Sequence, residues 1–230
     1  MSKYFFLTGT DTDIGKTVVG CALLQAASYR GYKTAGYKPI AAGSKESVFG
    51  LRNLDAELLR KNSTVNLSYD DVNPIVFLDA TSPNIAAQKA GRVIDFKRMT
   101  QGLEKLKDCA DWIIVEGAGG WYTPFSIEKT FADWVIEQKL PVILTVGIKL
   151  GCINHALLTS QAIENSGLFL VGWIANKIVP SKKDEADYLL TLQNKLSVPC
   201  LGVIPYFPHW ESNFIGKFIN FSEILDRVSF

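Results

Sequence analysis

The stretch that most constrains this chain is Thr8-Gly9-Thr10-Asp11-Thr12-Asp13-Ile14-Gly15-Lys16-Thr17, close to its start. An apolar run over 4–7 leads into it, and a helix-like run over 18–27 comes after it. Strand, glycine-bearing loop, Gly-Lys-Thr and helix is the order of a P-loop. Phosphate chemistry requires that order, because the backbone N–H groups of the loop and first helical turn must converge on phosphate oxygens. In this reading Asp13, Ile14, Gly15, Lys16, Thr17 and Val18 cradle the phosphates of a nucleotide. Lys16 reaches the β- and γ-phosphates, and the Thr17 hydroxyl ligates Mg²⁺. The usual P-loop keeps four residues between its two glycines; here Thr10 holds the place of the first, and Gly9 stands one earlier. A polar turn with a threonine cap would fit the same composition, but it leaves the placement of Lys16 unexplained.

Six apolar runs, at 4–7, 34–37, 74–77, 112–115, 142–146 and 168–175, recur with helix-like stretches between them, and 201–204 makes a seventh. Most are continuous rather than alternating, which suits strands covered on both faces. The pattern predicts a doubly wound α/β fold, a mainly parallel sheet of about seven strands with helices on both faces, as in P-loop NTPases. Ligands then bind at the carboxyl ends of the strands. No repeat, linker or low-complexity segment interrupts the 230 residues, so one domain over 1–230 is expected.

Charge narrows the partners. With 24 basic and 23 acidic residues, neither a nucleic acid nor a membrane surface is implied, and phosphate binding must be local. No run approaches the ~18 apolar residues that span a bilayer, and the first apolar piece is too short for a signal peptide. The four cysteines are scattered and only two histidines accompany them, so no zinc site is expected and a reducing cytoplasm is.

The residues just past each strand carry the chemistry. Glu116 ends a run and precedes Gly117, Ala118, Gly119 and Gly120. A carboxylate there suits Mg²⁺, and the glycines let backbone approach a nucleotide. Lys38, directly after a strand and before Pro39, is either a surface lysine or a second cation converging on the phosphates. Asp55 sits at a helix start, where an isolated acid more often caps. Gly151, Cys152, Ile153 and Asn154 open a helix over 155–165, whose N-terminus suits a carboxylate or phosphate. Asn176 could read a base edge or simply turn the chain. Tyr188, on a helix over 182–195, reads as packing.

Together these segments resemble the dethiobiotin synthetases. The resemblance rests on Thr8–Thr12 with Gly15-Lys16-Thr17, Ala35-Gly36-Tyr37-Lys38-Pro39, Gly50-Leu51-Arg52-Asn53 with Asp55, Val115-Glu116-Gly117-Ala118-Gly119-Gly120-Trp121, Leu140-Pro141-Val142-Ile143-Leu144, Gly151-Cys152-Ile153-Asn154-His155-Ala156 and Gly172-Trp173-Ile174-Ala175-Asn176. They run in family order over nearly the whole chain, weakening after about Pro208. The P-loop spacing is the family's own.

The resemblance implies an ATP- and Mg²⁺-dependent ligase that closes the ureido ring of dethiobiotin from 7,8-diaminononanoate and CO₂. It implies Lys38, Lys16 and Thr12 as catalytic groups, with Thr12, Lys38 and the position of Ala42 at the reacting end of the substrate. Thr17, Asp55 and Glu116 would hold Mg²⁺. Gly117, Ala118 and Gly119 would lie along the nucleotide, Asn176 and Lys177 at adenine, and Pro205, Tyr206 and Phe207 beside the base. The family is homodimeric, so Gly151, Cys152, Ile153, Asn154 and Tyr188 would take the substrate's far carboxylate across the interface.

Two positions depart from the family. Ala42 stands where most relatives carry a substrate-contacting serine, with Ser44 two residues on as a substitute. Lys177 stands where relatives often carry an acid. Those departures keep open a ligase of the same fold acting on another amine. A rival class, the switch ATPases that position macromolecules, carries a lysine five residues before the Gly-Lys-Thr lysine. Asp11 holds that place here.

Overall fold

The continuous apolar runs become strands whose successive residues feed two different layers. In the computed structural model, which describes residues 2–180 and 183–228, the strands and helices succeed one another in chain order. They are β1 (Lys3–Gly9), α1 (Lys16–Tyr29), β2 (Thr34–Tyr37), β3 (Ile40–Ala41), β4 (Lys45–Ser47), β5 (Gly50–Arg52), α2 (Leu54–Lys61), α3 (Tyr69–Val72), β6 (Ile75–Val76), α4 (Pro83–Lys89) and α5 (Phe96–Lys107). The second half adds β7 (Trp112–Glu116), α6 (Phe131–Glu137), β8 (Val142–Gly147), α7 (Cys152–Asn165), β9 (Leu170–Asn176), α8 (Glu185–Lys195), β10 (Cys200–Ile204) and α9 (Phe221–Arg227).

Six strands form one parallel sheet in the order β10-β9-β8-β1-β7-β2. Phe5, Leu7, Trp112, Ile114 and Ile143 pack with apolar residues of α1, α2 and α9 on one face. Their neighbours Phe6, Ile113, Val115, Val142 and Leu144 pack with those of α5, α6, α7 and α8 on the other. This is the period of two of a strand buried on both sides.

Three expectations need correction. Among the described residues the sheet has six strands, not about seven: the run over 74–77 supplies β6, which pairs with β3 in a separate two-stranded sheet. Pro39 separates β3 from β2; it lacks a backbone donor and turns the chain off the sheet edge. The stretch over 45–52 is an antiparallel hairpin rather than a polar loop, so α2 starts at Leu54, after Leu51 and Arg52. The helix expected over 182–195 is described from Glu185, and Lys182 lies outside the described residues.

Candidate active site

The carboxyl ends of β1, β7 and β2 meet around one cleft of about 1080 Å³, and a smaller cavity of about 200 Å³ past the ends of β9 and β10 adjoins it. β1 delivers the P-loop. Asp13 and Gly15 take positive φ, 57° and 81°, which a tight loop reversing into α1 demands. A Cβ at Gly15 would stand 2.1 Å from Asn176 Nδ2, so this glycine is needed for space as well as for its backbone.

Lys16, the first residue of α1, is buried, and its Nζ donates to the Asp11 carbonyl at 2.9 Å. Burial, with the Lys38 ammonium adding to it, pulls its pKa down to about 8. Lys38, just past β2, is also buried, and it donates to Glu116 Oε1 at 2.6 Å and Asp55 Oδ2 at 2.7 Å. Burial opposes its charge, but Glu116 and Asp55 outweigh burial and hold it firmly protonated. Thr17 Oγ1 donates to the same Glu116 Oε1 at 2.9 Å. Burial raises the Glu116 carboxyl against the pull of Lys38. Asp55 is lowered: burial works against its charge, and Lys38 overcomes it.

Local sequence explains why these groups meet. Asn53 caps α2, its Oδ1 accepting from the Asp55 and Ala56 amides, and this aims Asp55 at Lys38. Behind Lys38, Asn73 Nδ2 donates to the Lys38 carbonyl at 2.6 Å, and the Tyr69 hydroxyl donates to Asn73 Oδ1. Glu116 Oε2 is buried without a hydrogen-bond partner. An orphaned carboxylate oxygen beside a threonine hydroxyl and a second carboxylate is a hard-oxygen donor set, and it fits Mg²⁺ completed by phosphate and water. Among the described residues no three His, Cys, Asp or Glu side chains gather into a cage for a metal.

The cleft is lined by Thr12, Asp13, Gly15, Lys16, Thr17, Val18, Lys38, Ala42, Asp55, Glu116, Ala118 and Gly119 among the expected residues. The smaller cavity gathers Asn176, Lys177, Pro205, Tyr206 and Phe207 with Asp13, Gly15 and Val18. Asn176 Nδ2 donates to the Ile14 carbonyl at 2.9 Å, and Lys177 pairs with Glu185.

Some expected residues lie elsewhere. Ile14 is buried, and Gly117 lies against the Phe6 ring rather than on the cleft wall. Gly151, Cys152, Ile153, Asn154 and Tyr188 line neither cavity. The Cys152 side chain is buried and its N–H donates to the Lys149 carbonyl at 3.0 Å. Ser44 does not replace the missing hydroxyl. Its Oγ is buried without a partner and off the cleft, while the Gly43 and Ser44 amides donate to Asp79 and Phe77 carbonyls at 2.9 and 3.1 Å. Arg52, Thr81, Ser82, Trp210 and Glu211 also line the cleft, with Trp210 shared by both cavities. Nothing in their spacing marked them.

A parallel sheet, a P-loop and carboxylates converging on its threonine define a P-loop enzyme that uses nucleoside triphosphate. A family model described as an AAA domain matches residues 3–213. The chain is 56% identical over 213 residues to the ATP-dependent dethiobiotin synthetase BioD of Yersinia pestis bv. Antiqua (strain Angola), covering 93% of this chain and 89% of that one. It is 53% identical over 221 residues to ATP-dependent dethiobiotin synthetase BioD 1 of Escherichia coli (strain K12), covering 96% and 98%. The chain belongs to the ATP-dependent dethiobiotin synthetase family. Among solved structures, the septum site-determining protein MinD with Mg-ADP from Pyrococcus horikoshii OT3 superposes with a TM-score of 0.58 at 18% identity, covering 97% of this chain and 89% of that one. That likeness is one of fold.

Proposed function

We propose that the chain, acting as one unit over 1–230, closes the ureido ring of dethiobiotin from 7,8-diaminononanoate, CO₂ and ATP, releasing ADP and phosphate. The observation that carries this reading is the convergence of Lys16, Lys38, Thr17, Asp55 and Glu116 at one end of the cleft. One amine of the substrate takes up CO₂ as a carbamate, losing a proton. A carbamate oxygen attacks the γ-phosphorus and ADP leaves, giving a carbamic–phosphoric anhydride. The second amine then attacks the carbonyl carbon, phosphate departs, and the five-membered ring closes. Holding both amines in one geometry makes the last step intramolecular and supplies a large effective molarity.

Lys16 and Lys38 would neutralise charge on the phosphoryl and carbamate oxygens. Thr12 would bond the reacting end of the substrate, near the wall at Ala42. Thr17, Asp55 and Glu116 would hold Mg²⁺, which neutralises the phosphate oxygens when bound; the orphaned Glu116 Oε2 supports this. Asn176 has one amide N–H on Ile14, and its Oδ1 would accept from an adenine amine.

Gly151, Cys152, Ile153, Asn154 and Tyr188 would serve a partner's site in a homodimer. That they do not line the cleft of their own chain supports this, as do the exposed Leu150, Leu158 and Leu190 beside them. A cytoplasmic setting fits four free cysteines, and no helix among the described residues is long and apolar enough to cross a membrane.

The test is phosphate release with ATP, Mg²⁺ and bicarbonate, with and without the diamine, while the organic product is tracked by mass. Diamine-dependent release with the cyclic urea as product is expected. Release indifferent to the diamine would overturn the reading.

A further inference from the structure

The loop that carries Thr12 is held by an ion pair that none of the roles above uses. Every oxygen of Asp11 is engaged. Oδ1 accepts from the Thr12 amide at 2.8 Å, Oδ2 accepts from Lys149 Nζ at 2.6 Å, and the carbonyl accepts from Lys16 Nζ at 2.9 Å. Lys149 sits on an anchored turn after β8: the Ile148 amide donates to Asn176 at 2.9 Å, and the Lys149 carbonyl accepts from Cys152 at 3.0 Å. The P-loop is tied to the same strand at its entry, where the Thr10 amide donates to Thr145 at 3.1 Å.

The Lys16 ammonium carries three donors, so one can stay on the Asp11 carbonyl while the others meet a triphosphate. The Lys16 bond holds the Asp11 backbone, and Lys149 ties the Asp11 side chain to the turn after β8. The Lys149 hydrogen bond also holds the Asp11 carboxyl below its ordinary range, so the link stays ionic.

We propose that Asp11 and Lys149 form a positioning strut that keeps Thr12 aligned with the reacting end of the substrate. The proposal rests on the reading of Thr12 as a substrate contact. Both side chains are partly exposed, 43% and 36%, so their attraction adds little to global stability and its effect falls on geometry.

The test compares Lys149→Met, Asp11→Asn and their combination in the full chain. Asp11→Asn keeps the oxygen that accepts from Thr12 and removes only the charge. Each single variant should lower kcat/KM for the diamine about tenfold while KM for ATP stays within about twofold. The double variant should cost no more than either single one, and Lys149→Arg should retain most of the activity. Hydrogen exchange at the Thr12 amide should quicken about tenfold in Lys149→Met, with the β1 amides unchanged. Additive losses would overturn the strut, as would unchanged diamine kinetics with unchanged Thr12 exchange. If the wild-type chain shows no diamine-dependent phosphate release, the ligase reading has failed, and Thr12 exchange alone decides the strut.

Discussion

The two ends of the cleft are built on opposite physical terms. At the phosphate end, two lysines and two carboxylates are pressed together, mostly out of water: Glu116 and Asp55 answer Lys38, while burial and Lys38 pull the pKa of Lys16 down to about 8. At the base end, a small cavity is walled by Pro205, Tyr206, Phe207 and Trp210, and its central polar group is one amide bound to a loop carbonyl. The first end works through charge and fails when a partner is removed. The second works through shape and a few neutral hydrogen bonds, whose net worth is about 1 kcal/mol each. Affinity for a base and competence for phosphoryl transfer should therefore separate under mutation.

The largest separation should come from Lys16→Ala. Diamine-dependent phosphate release should fall by about 10³-fold or more, because no other side chain donates from that place on the loop. A residual rate above a tenth of wild type would mean that Lys38 covers for it.

Lys38→Met probes the same end through stability. It strips Glu116 of its cation and should cost about 3 kcal/mol near pH 8, read by denaturant titration. The sign with pH is fixed by Glu116. Its folded carboxyl lies above the ordinary 4.5 of glutamate, so the fold binds more protons than the unfolded chain between 4.5 and that raised value. Stability therefore falls as pH rises through this window, and the variant should recover part of its loss on acidification. A loss independent of pH would place the cost elsewhere.

Asn176→Ala tests the other end. KM for ATP should rise about tenfold with kcat little changed, the mark of lost binding shared by ground and transition states. An equal fall in kcat would show that the two ends do not separate.

The smallest effect is a proton. With a pKa of about 8, Lys16 is about half protonated at pH 8, and a bound triphosphate returns it toward its ordinary 10.5. Nucleotide binding at that pH should take up about half a proton, seen as a dependence of calorimetric heat on buffer ionisation, and Lys16→Met should abolish it.

The same contrast governs how much was legible in the sequence. Lys16 and Thr17 stand out through the strand, loop and helix order around them, Glu116 because a carboxylate ending a buried strand has no packing reason to be there, and Lys38 through its place beside them. Asp55 gained weight only through family resemblance, because an acid at a helix start is ordinary until Asn53 is seen to aim it at Lys38. The walls were hidden. Trp210 and Glu211 reach the cleft from a short 3₁₀ turn with no periodicity to announce it, and Thr81 and Ser82 arrive just before a short helix. The sheet was overcounted because an apolar run reports burial, whereas a place in the sheet depends on whether the neighbouring strand can continue past Pro39.

The contact between Gly15 and Asn176 sets a rule for how this chain can drift. A methyl at position 15 would collide with the amide at 176, and losing that amide would remove the tether on the Ile14 carbonyl. A side chain at position 15 would therefore press on the base pocket as well as strain the phosphate loop. The two positions, far apart in the chain, meet at one contact, so any side chain at 15 would also need the side chain at 176 to move or shrink.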